Sequence, residues 1–210
     1  QIVGLGVIIP VISVIIIGVA VNQDSGPGGA PASEVNQQNS PIDRAGLKVF
    51  SLKRRDIHSA ARDGDLVELR RLLSQVQEPD QLDDLGESPL HLAAMMGETP
   101  ACKLLLESGA DPDYRSDAGK NALHYAAHSE DSRTAQLLLN AGGDQSARDE
   151  DGITPLHEAV ESSNSGVVRL LLAAGADPMA VDNRDVGSLE RAIFVDNPEI
   201  VGLLLEAGAD

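Results

Sequence analysis

Hydrophobic and polar positions divide the chain into three regimes. Residues 2–21 run without a charged side chain, the first charge being Asp24. Residues 22–43, NQDSGPGGAPASEVNQQNSPID, hold almost no large apolar residue. Beyond them short apolar blocks return at a fixed interval. GESPLHLAA, GKNALHYAA and GITPLHEAV begin at 86, 119 and 152, each 33 residues after the last. Leu90, Leu123, Leu156 and Leu189 keep that spacing, as do leucine triplets at 104–106, 137–139, 170–172 and 203–205. So do Gly109, Gly142, Gly175 and Gly208, each followed two residues later by Asp, with no insertion or deletion.

Each period predicts two short helices and a turn. Ser88, Asn121 and Thr154 are placed to cap a first helix, since their side-chain oxygens can accept a free N–H at its start. Pro89 and Pro155 follow, at the first helical position, where a missing N–H costs nothing. Leucine and paired small residues complete that helix. A second helix carries the Val167, Val168, Leu170, Leu171 periodicity and stops at Gly175. Gly86, Gly119 and Gly152 suit hairpin-like turns that need positive φ. One such unit cannot bury its own apolar face, so stacking must supply the core.

The pattern resembles the ankyrin repeat, whose hallmark is T-P-L-H-x-A at a 33-residue period. The resemblance covers about four-fifths of the chain and implies an all-α solenoid, an ankyrin-repeat domain over 44–210. Its repeats would run 50–82, 83–115, 116–148, 149–181 and 182–210. The two end repeats depart from the pattern. Repeat 50–82 lacks the turn glycine and the Gly-Ala-Asp ending, and Lys53, Arg54 and Arg55 suit a wetted N-terminal cap. In repeat 182–210, Asp185 replaces the turn glycine, Gly187 the capping residue and Glu190 the histidine, which reads as a C-terminal cap.

Length separates the leading apolar run from a core helix. Twenty uncharged residues rise about 30 Å, the thickness of a bilayer's hydrocarbon core, so 1–21 is read as a transmembrane signal-anchor. A cleaved signal is the alternative, with Gly18 and Ala20 at the −3 and −1 positions. Residues 22–43 cannot bury enough surface to offset ordering entropy and read as a flexible linker. No Lys or Arg lies between Asn22 and Pro41, so the repeats are expected outside the cytoplasm, in the periplasm of a Gram-negative cell. Facing the cytoplasm, or export as a soluble domain after cleavage, are the other outcomes.

Charge changes the picture of partners. The net charge is −17, and residues 80–210 alone hold 25 acids against eight bases. Phosphates must be neutralised by Lys and Arg, and with 2% aromatic residues there is little to stack on bases, so nucleic acid is excluded as a partner. One cysteine, Cys102, permits no intrachain disulfide and no multi-cysteine zinc site. It lies in an apolar register with Leu69, Ala135, Val168 and Val201 and reads as a core thiol.

Candidate chemistry dissolves into the repeat. His58, His91, His124 and His157 share one register, and the resemblance implies that they tie the cap of one repeat to neighbouring backbone. His124 and His128 stand four apart on one helical face but lack a third metal ligand. Residues 149–152, DEDG, lack the twelfth-position Glu of a calcium loop. No catalytic residue, cofactor or metal is assigned, and the chain is read as a non-enzyme.

The resemblance implies that a partner docks on the concave side, built from turn tips and the inner faces of the first helices. The positions matching it are Leu85, Glu87, Met95 and Met96, then Lys120, Tyr125 and His128, then Ile153, Glu158 and Glu161, and last Arg191 and Phe194. Adaptable methionines and aromatic anchors among acids suit a protein with a basic, partly apolar surface. The expected protein is a membrane-anchored or exported bacterial ankyrin protein, its repeat domain monomeric, held to the membrane through residues 2–21. The alternatives are an accessory subunit of a membrane complex and a neutraliser of a toxin or enzyme.

Overall fold

A computed structural model describes residues 56–75, 78–129 and 131–210. These belong to the second of two units, Gln1–Lys48 and Val49–Asp210. The expected membrane segment, 1–21, and the linker, 22–43, lie outside the described residues. Among the described residues no helix is long and apolar enough to cross a membrane.

The described residues form ten helices in five pairs: α1 (Ile57–Arg62) with α2 (Leu66–Leu73), α3 (Pro89–Met95) with α4 (Thr99–Glu107), α5 (Ala122–Ala126) with α6 (Ser132–Asn140), α7 (Pro155–Glu161) with α8 (Ser165–Ala173), and α9 (Ser188–Phe194) with α10 (Pro198–Glu206). Each first helix packs on its own second helix and on the first helix of the next pair; the second helices stack likewise. The result is an α solenoid of two helical layers. Among the described residues the only β pairing is an isolated bridge between Val181 and Gly187.

Helices of five to nine residues are marginal alone, so caps and stacking must hold them. The inner residue of each cap is buried polar: Ser88, Asn121 and Thr154 have extended backbone and lead directly into α3, α5 and α7. Their backbone N–H groups donate to the ring Nδ1 of His91 (3.0 Å), His124 (3.2 Å) and His157 (3.1 Å). The Nε2–H of each ring then donates onward, His91 to the Tyr114 carbonyl, His124 to that of Ile153, His157 to that of Ala180. In the last pair Glu190 takes over the first job, its carboxylate accepting the Gly187 N–H at 2.5 Å. A carboxylate has no second N–H to send onward.

The core follows the leucine register. Leu90, Leu123 and Leu156 of the first helices and Leu105, Leu138, Leu171 and Leu204 of the second are almost wholly buried. Ala93, Ala94, Ala126, Ala127 and Ala159 are sealed between them, where only small side chains fit. Leu189 of α9 is only half-buried; among the described residues α9 has a first-helix neighbour on one side alone.

The turns explain much of the acidity. In the tips the N–H groups of Asp83, Ser116, Asp149 and Asp182 each donate to the carbonyl four residues on. The carboxylates of Asp83, Asp149 and Asp182 each accept two N–H groups of their own tip, those two and four residues later. Gly86, Gly119 and Gly152 close these turns at φ 72°, 75° and 77°; Asp185 does so at 60°. Successive tips are stitched together: the N–H groups of Asp117, Glu150 and Asn183 donate to the carbonyls of Gly86, Ala118 and Asp151.

Candidate functional site

A period of 33 places equivalent residues in columns across the stacked first helices. One column, at the last turn or just past it, reads Arg62, Met95, His128, Glu161, Phe194. The next reads Leu92, Tyr125, Glu158, Arg191, and a third, nearer the tips, Glu87, Lys120, Ile153, Val186. Lys120, His128, Ile153, Glu158, Glu161 and Arg191 line one cleft of about 460 Å³ with the tip acids Asp149, Glu150 and Asp151. An adjoining cleft of about 330 Å³ is bordered by Val186, Val195 and Phe194 together with Arg191 and Glu190.

The middle of this face is a diagonal network rather than a set of free side chains. Lys120 Nζ donates to Glu158 at 2.5 Å and lies 3.9 Å from Asp149. His128 Nε2 is 2.9 Å from the other Glu158 oxygen, and its Nδ1 meets the Ser162 hydroxyl at 2.8 Å. One pair further on, Arg191 is held by Asp182 of its own turn and by Glu161 of α7. Burial alone would raise the Glu158 carboxyl, but hydrogen bonds from His128 and Lys120 outweigh it and pull it down to about 2. Glu158 is therefore a fixed anion holding two neighbours from the preceding pair.

Four residues expected to meet a partner are interior. Tyr125, Ile153, Glu158 and Arg191 are each less than a tenth exposed. The Tyr125 ring stacks on His91 with centroids 4.8 Å apart, and burial pushes its hydroxyl up to about 12. These side chains join one repeat to the next, as a column position makes possible when its neighbour above carries the complementary group. Glu87, Met95 and Lys120 are half-buried. Leu85, Met96, His128, Glu161 and Phe194 are exposed, Phe194 at 90%, and beside it Ile193, absent from the sequence expectation, stands at 62%.

The buried histidines His91, His124 and His157 serve the repeat's hydrogen bonding. Burial draws His91 down to about 4 and lowers His124 and His157 as well, so all three are neutral donors and acceptors near pH 7. His124 has both nitrogens engaged, which removes it from the His124–His128 metal pairing. Cys102 is fully buried and its thiol is pushed up to about 12 by burial, so it is not a nucleophile.

Sequence reasoning missed one ladder. Arg115 Nη1 donates to the carbonyls of Gly119 and Arg148, and Arg148 Nη1 to those of Gly152 and Val181. The signal was present, since the two arginines are themselves 33 apart.

The fold and these columns define a helical repeat protein with a laterally continuous surface. The family described as ankyrin repeats (3 copies) matches residues 57–149, 108–182 and 130–210, and the chain belongs to that family. Ankyrin repeats are generally protein–protein interaction modules, and proteins built from them are typically non-enzymatic. No curated protein matches the chain significantly.

Proposed function

We propose that the chain binds a partner protein through the face formed by the turn tips and first helices, with Leu85, Met96, His128, Glu161 and Phe194 in contact. The observation that carries this reading is Phe194, a large aromatic side chain 90% exposed at the end of α9 beside a cleft of about 330 Å³. Exposed aromatic and methionine side chains next to a concave surface are the usual energetic anchors of an interface. Phe194→Ser is then expected to weaken partner retention at least tenfold while leaving the helical content intact. Retention unchanged by that substitution and by Met96→Ser would remove the face from the account.

In this reading residues 2–21 anchor the chain in a membrane and the repeats lie outside the cytoplasm. The charge-free run and the lack of Lys or Arg from 22 to 41 support it. Alkaline phosphatase fused after Asp210 should be active and a cytosolic fluorescent reporter at the same place dark. The opposite pair of results places the repeats, and their partner, in the cytoplasm.

A further inference from the structure

The outermost column of the face runs Arg62, Met95, His128, Glu161, Phe194 and holds two apolar patches with polar residues between them. Met95, backed by Met96 at 54% exposure, forms the first, on the inner side of the exposed Arg62; Phe194, beside Ile193, forms the second; His128 and Glu161 lie between. The two apolar patches are three repeat steps apart, and packed helices stand about 8–10 Å from axis to axis, so they are separated by roughly 24–30 Å.

The charges of the middle are unevenly satisfied. Its inner cations are already neutralised: Lys120 faces both Glu158 and Asp149, and Arg191 faces both Asp182 and Glu161. The exposed carboxylates of Glu150 and Asp151 at the rim of the same cleft form no ion pair among the described residues. Arg184 also lines this cleft, 3.6 Å from Asp182, yet Lys120, Arg184 and Arg191 stand against Asp149, Glu150, Asp151, Glu158 and Glu161, so the middle offers an incoming surface net negative charge. An acidic segment or a phosphate would meet that charge directly; a Lys or Arg side chain would offset it.

We infer that the partner presents one linear segment with Lys or Arg at its centre and an apolar side chain at each end. The apolar ends seat against Met95 and Met96 on one side and Ile193 and Phe194 on the other, while the basic centre lies over Glu150 and Asp151. This rests on the protein-binding reading above and adds the chemistry and spacing of what is bound. An extended segment spans the separation in about eight residues and a helix in about 16–20. The apolar ends would carry most of the affinity, and the basic centre would set register and association rate.

Random 20-residue peptides displayed on phage and selected against the full-length chain test the inference. The expected consensus has Lys or Arg at its centre and Leu, Met or aromatic residues toward both ends. The leading peptide, synthesised, should bind at least tenfold more weakly to Phe194→Ser, to Met96→Ser and to the Glu150→Lys, Asp151→Lys double variant, and more weakly as salt rises. All these positions are exposed, and unchanged circular dichroism of the variants confirms their folding. Peptides that need Phe194 but carry a neutral or acidic centre, or ignore the double charge reversal, overturn the basic-centre inference and leave the face standing. Peptides indifferent to both Phe194→Ser and Met96→Ser overturn the face itself, and a selection that enriches no consensus overturns the linear segment.

Discussion

Lys120 and Glu158 are 38 positions apart in the chain and 2.5 Å apart in space. Lys120 follows the turn of one repeat and Glu158 sits in the first helix of the next, so the bond fastens α5 to α7 across their shared face. His128 bonds the second oxygen of the same carboxylate from the other end of α5. A single buried anion thereby joins two stacked helices, and the Lys120 ammonium that would otherwise invite an acidic ligand is consumed internally.

Glu158→Gln should lower stability by about 1–3 kcal/mol, because Lys120 loses its near counter-ion in a largely buried setting. The pH dependence identifies the cause. The Glu158 carboxyl is held at about 2 in the fold against 4.5 ordinarily, so its contribution is complete above pH 4.5 and is lost as pH falls toward 2. Urea titrations should show a constant gap between wild type and variant above pH 4.5 that closes below it. A gap that does not change with pH would assign the loss to packing instead.

The buried histidines act in a different window. His91 titrates at about 4 in the fold and 6.5 ordinarily, and His124 and His157 shift the same way, all chiefly through burial. Between those values the unfolded chain binds protons that the folded chain refuses, so stability falls as pH drops from 6.5 to 4. His91 alone should account for a loss on the order of 3 kcal/mol across that window. The urea midpoint measured at pH 7, 6 and 5 should fall at each step, and a flat profile would mean the rings are protonated in the fold.

Two glycines should respond to alanine with opposite signs. Gly152 has φ 77°, and an added Cβ would lie 2.5 Å from Asn183 Oδ1 and 3.0 Å from its backbone N. Gly152→Ala should cost about 1–2 kcal/mol from the left-handed backbone, with crowding of the next tip in addition. Gly202 lies inside α10 with nothing within 4 Å of that position, so Gly202→Ala should stabilise by about 0.5–1 kcal/mol. Thermal denaturation of the two variants checks both.

In the core, Leu138→Ala should cost about 2–5 kcal/mol, because the side chain is completely buried between α6 and its neighbours. Lys103→Ala on the outer layer should change stability by less than about 0.5 kcal/mol, since its contact with Glu107 is exposed and 3.8 Å long. Glu161 does not belong with such neutral surface sites, although exposure alone would place it there. Its carboxylate is a partner of the buried Arg191, and Glu161→Ala leaves that guanidinium with Asp182 alone.

The fold was legible because each period repeats the same local instructions. Ser88, Pro89, Leu90 and His91 announce a capped helix, and the same instruction returns at 121, with Asn as cap and Ala122 in place of the proline, and at 154, with Thr as cap. Helices, turns and core leucines follow from residues a few positions apart. The face was less legible because its chemistry is set between repeats. A column position such as Glu158 or Arg191 looks like an available charge in sequence, and only the register of the next helix shows that Lys120 or Glu161 has already taken it. Tyr125 was misplaced for the same reason, its ring being covered by His91 of the previous pair. Exposure of Phe194 depends on its place at the end of α9, in a pair with a neighbour on one side alone among the described residues.

The central claim is that partners dock on the first-helix face and not on the second-helix layer. Proteins retained by the immobilised full-length chain can be quantified by mass spectrometry for wild type, for the Met96→Ser, Phe194→Ser double variant, and for Lys103→Glu on the outer layer. The account predicts a defined set of proteins kept by wild type and by Lys103→Glu, and depleted at least tenfold on the double variant. A set that survives the double variant and disappears with Lys103→Glu would contradict it.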